Sequence, residues 1–287
     1  MPFLLVALIW GSTWIVIKGQ IGAVPPGWTI TWRFLLAGVA MFAVARWRGD
    51  PLRLPAPAQR LAVMVGLFQF CGNFQFVYRA EKWLTSGIVA MLYALLMVPN
   101  ALFARVLLGQ RLSVRFLAGS AIALGGIGLL LAHEFAVAPT QAEIGLGAAL
   151  TFGGLICASL ANVAQAFPAL REVPGTSLLA WAMAWGTLAN AALALAFEGA
   201  PVLDPHPAYW AGVAYLSIVG SVVTFPLYFT LIRTVGAGRA AYNGVAVPLV
   251  AMAISTAVEG YRWTALSVAG VVLALTGLVI ALASRRV

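Results

Sequence analysis

Apolar runs of about 17 to 25 residues recur along the chain, parted by short stretches that carry Pro, Gly or Arg. Ten stand out, over 3–18, 28–47, 59–78, 85–108, 113–132, 142–166, 175–198, 208–232, 238–258 and 264–284. A helix needs about 20 residues to cross a hydrocarbon layer roughly 30 Å thick. Lipid gives unpaired backbone groups no water, and the runs are too long for barrel strands, so each predicts a helix. The expected fold is all-α, a polytopic membrane protein with ten transmembrane helices.

The pattern is written twice. Residues 87–131 and 238–282 align at an offset of 151 with 10 identities in 45 positions, among them Gly87/Gly238, Gly109/Gly260, Arg111/Arg262, Gly119/Gly270 and Gly126/Gly277. Upstream, Pro26-Gly27/Pro174-Gly175 and Gly38/Gly186 match at an offset of 148. Repeated self-similarity of this kind marks an internal duplication. Each copy holds five helices, and an odd number makes the second copy enter the membrane from the opposite side. The expected organisation is therefore two inverted five-helix repeats, 1–135 and 136–287, an architecture many secondary transporters use.

Composition agrees with a membrane protein and narrows the rest. Hydrophobic residues make up 62% of the chain and charged ones 9%, against roughly 25% charged in soluble domains. Mean hydropathy is +0.97. The net charge of +9 reads as a topology signal and not as a nucleic-acid footprint. With the N-terminus inside, the inner side holds Arg46, Arg48, Arg53, Arg60, Arg105, Arg111, Arg115, Arg171, Arg233, Arg239, Arg285 and Arg286. The outer side keeps only Lys18, Arg79, Lys82 and Arg262. Inner loops favour Lys and Arg, so both termini are expected in the cytoplasm. The first run lacks a basic leader and is followed by Lys18, so it is expected to be retained. Cys71 and Cys157 lie inside predicted spans, which argues against a structural disulfide or a metal site.

Polar side chains recur on single helix faces: Trp10, Trp14 and Lys18 on the first helix; Gln69, Asn73 and Phe76 on the third; Ser86, Tyr93 and Asn100 on the fourth. The second half offers Ser159 and Asn162, then Ser217, Ser221, Thr224 and Tyr228, then Tyr242 or Asn243. Buried polar groups must find partners or line a wet cavity. The alternative for each is a bond to a neighbouring helix, worth about 0.6 kcal/mol on average. Pro99, Pro226 and Pro248 interrupt spans, where each removes a backbone hydrogen bond. Arg33 lies about five residues inside the second span. It either holds a substrate carboxylate or snorkels and pairs with a loop acid. Small residues Gly119, Ala123 and Gly126 repeat as Gly270, Ala274 and Gly277, a spacing for close helix packing or for a homodimer through helices 5 and 10.

The chain resembles the drug/metabolite transporter superfamily in its ten-helix EamA-type branch. The resembling residues are Trp10-Gly11-Ser12 with Lys18, Pro25-Pro26 before Trp32-Arg33-Phe34, Gly109-Gln110-Arg111-Leu112 leading to Gly119, Pro248, and Glu259-Gly260-Tyr261-Arg262-Trp263. Two departures stand out: the family's fourth-helix proline aligns with Met97, the partner of Pro248, but here stands two residues later at Pro99, and the Gly109-Gln110 turn is permuted to Glu259-Gly260 in the second half. The resemblance, closest to amino-acid and metabolite exporters, implies the bacterial inner membrane and a central cavity lined by helices 1, 3, 4, 6, 8 and 9. The substrate-binding candidates are then Trp14, Gln69, Asn73, Tyr93, Asn100, Asn162, Thr224, Tyr228 and Asn243, with Pro99 and Pro248 as hinges.

Aromatic walls with neutral amides between them suit a small, partly apolar zwitterion, such as a neutral or aromatic amino acid. Lipophilic cations are the alternative. A nucleotide-sugar-type carrier would need more cavity cations than Arg33 alone supplies. No phosphate-binding Gly-x-x-x-x-Gly-Lys-Ser/Thr loop is present, and no catalytic cluster, so neither an ATPase nor an enzyme is expected, nor any cofactor. No Asp, Glu or His is predicted near a span midpoint, and His133 falls in an outer loop. That predicts facilitated diffusion or exchange along the substrate's own gradient.

Overall fold

The computed structural model describes residues 2–22, 24–137, 140–170, 172–235 and 242–283. Arg171, Gly238, Arg239, Arg285, Arg286 and the start of the ninth predicted span lie outside the described residues. Among those described there are ten membrane-type helices and no strand. They are α1 Pro2–Gly19, α2 Pro26–Trp47, α3 Ala56–Ala80, α4 Ser86–Leu108 and α5 Val114–Val137, then α6 Gln141–Ala164 and α7 Gly175–Phe197. Next, α8 joins Pro207–Ala214, Tyr215–Val223 and Thr224–Val235; α9 is Asn243–Val258 and α10 Ala265–Ala283. Nine of these are long and apolar enough to cross a membrane, and α9 is apolar over a shorter 10–17-residue class.

Local chemistry sets the helix ends. Proline occupies the first turns of α2, α3 and α8, where the missing N–H is not needed. The repeat-related Gly109 and Gly260 follow α4 and α9 with φ of 68° and 70°. A side chain is strained in that left-handed region, so the identity of this glycine pair has a backbone reason. The α5 helix runs five residues past the predicted 132, carrying His133 and Glu134 with it, both buried. They are held there by the α9–α10 connection: Tyr261 Oη donates to Glu134 at 3.0 Å, and Thr264 Oγ1 meets His133 Nδ1 at 3.2 Å.

The two halves interleave. Equivalent helices pack on each other, α5 on α10 and α2 on α7, while α1 lies on α9 and α4 on α6. Gly119 faces Gly277 and Ala281, whereas Gly126 faces Gly270 and Ala274. Ascending one helix thus descends the other, so repeat-related α5 and α10 are antiparallel. The same holds for α2 and α7, where Gly27 meets Ala194 and Glu198 while Gly38 meets Met183. The small-residue faces expected to pack or to dimerise are spent within one chain. Bare backbone meets bare backbone there, which leaves those faces no surface for a second copy.

Two features of the helices had no expectation. Gly66–Asn73 in α3 and Tyr215–Val223 in α8 are π-helical, at corresponding places in the two halves. Ser221 Oγ and Thr224 Oγ1 donate to carbonyls five residues back, Leu216 at 2.9 Å and Val219 at 2.5 Å. In the same way as the backbone, these hydroxyls follow the wider π spacing. In α4 the backbone tightens to 3-10 over Ala94–Leu96, just before Pro99. Pro99 cannot donate to the Leu95 carbonyl, which explains a change of winding at that point. Pro248 stays within α9.

Candidate functional site

A central cavity of about 410 Å³ lies between the halves. The six helices expected to line it all do, joined by Arg33 of α2, Leu179 of α7, and Leu278 and Leu282 of α10. Of the predicted substrate residues, Trp14, Gln69, Asn73, Tyr93, Asn100, Asn162, Tyr228 and Asn243 stand on its wall, and so does Pro248. Thr224 and Pro99 do not. Thr224 is fully buried, its hydroxyl given to Val219. Ser217 and Ser221 are likewise turned to backbone carbonyls. The reason is the π turn: its wider winding rotates the residues after it relative to those before, so a face drawn at α-helical spacing splits.

The wall is organised by few contacts. Trp14 and Tyr93 meet at a tilt of 55° with 5.0 Å between centroids, and Trp10 sits 5.1 Å from Tyr228 and 5.6 Å from Phe225. Trp10 Nε1 donates to Gly220 O in the π turn of α8 at 3.2 Å. In the other π turn, Phe70 O accepts Asn190 Nδ2 from α7 at 2.9 Å. Asn162 Nδ2 reaches Asn100 Oδ1 at 3.5 Å. Asn243 is 2% exposed, and neither end of its amide has a hydrogen-bond partner among the described residues. An unpaired buried amide costs free energy unless something in the cavity engages it.

Arg33 is the cation of this wall. It is 3% exposed, so its head group does not snorkel to water. Its guanidinium carbon lies 4.4 Å from the Phe74 ring and 5.1 Å from Phe34. Its polar contact is Tyr78 Oη at 3.5 Å, and Nε has no partner. Sequence reasoning placed Arg33 near a helix end and could not tell inward from outward. Thr13 and Gln165 also stand on the wall and were not among the candidates, although each lies one helical turn past a residue that was, Thr13 after Trp10 and Gln165 after Asn162.

Past Ile17, which lines the cavity, polar contacts bind α1, the α3–α4 connection, α4 and the end of α9 together. Lys18 Nζ donates to the main-chain carbonyls of Glu81 and, at 3.0 Å, Leu84. Glu259 accepts the Ser86 N–H at 3.1 Å and its hydroxyl at 2.5 Å, satisfying the N-terminus of α4 as an acidic cap does. Farther out, Arg79 pairs with Glu198 at 2.9 Å. Glu81, in the α3–α4 connection, is 0% exposed, and neither carboxyl oxygen has a partner among the described residues. Burial pushes its pKa well above the ordinary carboxylate value, Lys18 pulling it back, Glu259 adding to the rise and Arg33 opposing it. The absence of acids near span midpoints did not prepare for this, because the connection folds inward between α1 and α9.

A bundle of apolar helices enclosing a hollow walled by rings and a few amides, at the junction of its antiparallel halves, is built as a polytopic membrane transporter is built. The chain belongs to the EamA-like transporter family, whose model matches residues 2–132 and again 145–283. It is 27% identical over 299 residues to the "Probable amino-acid metabolite efflux pump" of Salmonella typhimurium, covering 99% of this chain and 94% of that one. It is 27% identical over 274 residues to the "Uncharacterized inner membrane transporter YedA" of Escherichia coli, covering 91% and 84%. Protein PagO of Salmonella typhimurium is 29% identical over 133 residues, 46% of this chain and 43% of that protein, so there the match spans under half of the relative. A solved crystal structure superposes with a TM-score of 0.71 at 22% identity, covering 100% of this chain and 98% of the other. That likeness shows the fold.

Proposed function

We propose that this protein moves small metabolites, amino acids with neutral or aromatic side chains foremost, across the bacterial inner membrane by alternating access, as an exporter or facilitator. The units 1–135 and 136–287 exchange roles as the cavity opens to one side and then the other, and both termini face the cytoplasm. The observation that carries this reading is the cavity itself, walled by rings and neutral amides from both halves, with Lys18, Glu81, Ser86 and Glu259 binding helices together past Ile17. Rings take up an apolar side chain, while Asn73, Asn100, Asn162 and Asn243 offer hydrogen bonds to its polar groups. The full-length likeness to proteins named as amino-acid metabolite efflux pumps supports the same substrate class.

The test is counterflow of a labelled amino-acid panel into proteoliposomes holding the purified chain. Uptake of one or more neutral or aromatic amino acids is expected. Efficient movement of organic cations with no amino acid would replace this reading with drug efflux, and movement of neither would end it.

A further inference from the structure

We infer that Arg33 is the carboxylate anchor of the transport cavity, and that it selects free carboxylates over the matching amides and amines. The inference rests on the transporter reading above and supplies the chemical class that reading leaves open.

The side chain is on the cavity wall, nine-tenths or more buried, and short of partners. Of the five N–H donors of a guanidinium, one reaches Tyr78 Oη at a long 3.5 Å, and Nε reaches nothing. No described carboxylate pairs with it: the ion pairs of the described residues are Arg48–Asp50, Arg79–Glu198 and His206–Asp204. Glu81 feels its field but accepts no hydrogen bond from it. A cation taken out of water and left unpaired is strongly disfavoured, so this site is completed by an anion.

The anion's shape follows from the surroundings. Phe74 and Phe34 lie against the guanidinium, whose planar fork of N–H groups matches the two oxygens of a carboxylate. The other polar groups of the wall are neutral amides and phenols, too little positive charge for a phosphate ester. Trp14 and Tyr93, tilted against each other on the same wall, offer ring surface to an ammonium group or an apolar side chain. The anchor is also tied to the moving parts. Ser217 Oγ donates to the Arg33 carbonyl at 2.8 Å, joining α2 to the π turn of α8.

The experiment is competition in the same counterflow assay, setting each labelled amino acid that moves against its unlabelled free acid, its carboxamide and its decarboxylated amine. In the wild-type chain the free acid is expected to compete roughly 10- to 100-fold better than the amide, the range of one charge-assisted hydrogen-bonded contact. Arg33→Gln brings acid and amide to parity, with thermal unfolding in detergent reporting whether the fold is kept. Arg33→Lys keeps the charge, loses the fork, and falls between. Equal competition by acid and amide in the wild-type chain overturns the inference, as does an undiminished preference in both variants. Movement of amines alone overturns it and leaves a carrier standing; movement of nothing removes the carrier reading as well.

Discussion

Tyr93 Oη donates to Asn73 Oδ1 at 2.5 Å, joining the residue just before the 3-10 turn of α4 to the last residue of the π turn of α3. Both irregular segments of the first half are thus fixed to each other on the cavity wall. Tyr93→Phe leaves a buried amide oxygen unpaired and is expected to cost about 1–3 kcal/mol, read as a lower unfolding temperature in detergent. Gly154→Ala sets a methyl on the same hydroxyl, so the double variant should cost less than the sum of the singles.

The α5–α10 seam separates two kinds of glycine. A Cβ on Gly119 would strike the backbone of Gly277 and Ala281, which cannot swing aside, whereas a Cβ on Gly128 meets nothing within 4 Å. Gly119→Ala is expected to destabilise by about 1–3 kcal/mol through overpacking. Gly128→Ala should be neutral or gain up to about 1 kcal/mol from helix propensity. Thermal unfolding of the two variants side by side checks the contrast.

Access to Ile17 from that side should depend on Lys18. Its ammonium closes on two main-chain carbonyls of the α3–α4 connection; Lys18→Met keeps the bulk and removes the bonds. A cysteine at Ile17, in a background without Cys71 and Cys157, is expected to react several-fold faster with an impermeant maleimide when Lys18 is Met. Unchanged labelling would show that these bonds do not control access.

Glu81 makes the fold pH-dependent. Its pKa is raised on folding, chiefly by burial and against the pull of Lys18 and Arg33, so the folded chain binds this proton more tightly than the unfolded one. Its favourable share is therefore complete below the ordinary carboxylate value of 4.5 and is lost as pH rises through the raised value. Glu81→Gln, a neutral isostere, should unfold at about the wild-type temperature in acid and at a higher one in mild alkali. Curves that stay parallel with pH would refute this.

Much of this could be read from residues alone. Span length is a one-dimensional property, and nine described helices ended within a few residues of expectation. The Gly109/Gly260 and Gly119/Gly270 identities reported real backbone constraints. Polar faces at helical spacing found the cavity wall at Gln69, Asn73, Tyr93 and Asn100. Thr224 failed where geometry departs from 3.6 residues per turn. A π turn leaves no mark in composition, so Thr224 was assigned the azimuth of Tyr228. Arg33 was ambiguous because Trp32 and Phe34 beside it are equally at home in lipid or core; its inward side chain meets Phe74, Phe34 and Tyr78, contacts no local pattern reveals. Glu81 stands just past the end of a span, where nothing local tells a connection that bulges outward from one that tucks in.

The paired π segments carry a history. A π turn is rare in a helix, and here one sits at the matching place in each five-helix unit, each giving residues to the cavity wall, Gln69, Phe70 and Asn73 from one and Gly220 from the other. A single insertion in an ancestral gene, fixed before copying, accounts for both. The ancestor would then have met a second copy of itself head to tail in the bilayer and already owned the wrinkle around which its descendants fold a binding chamber.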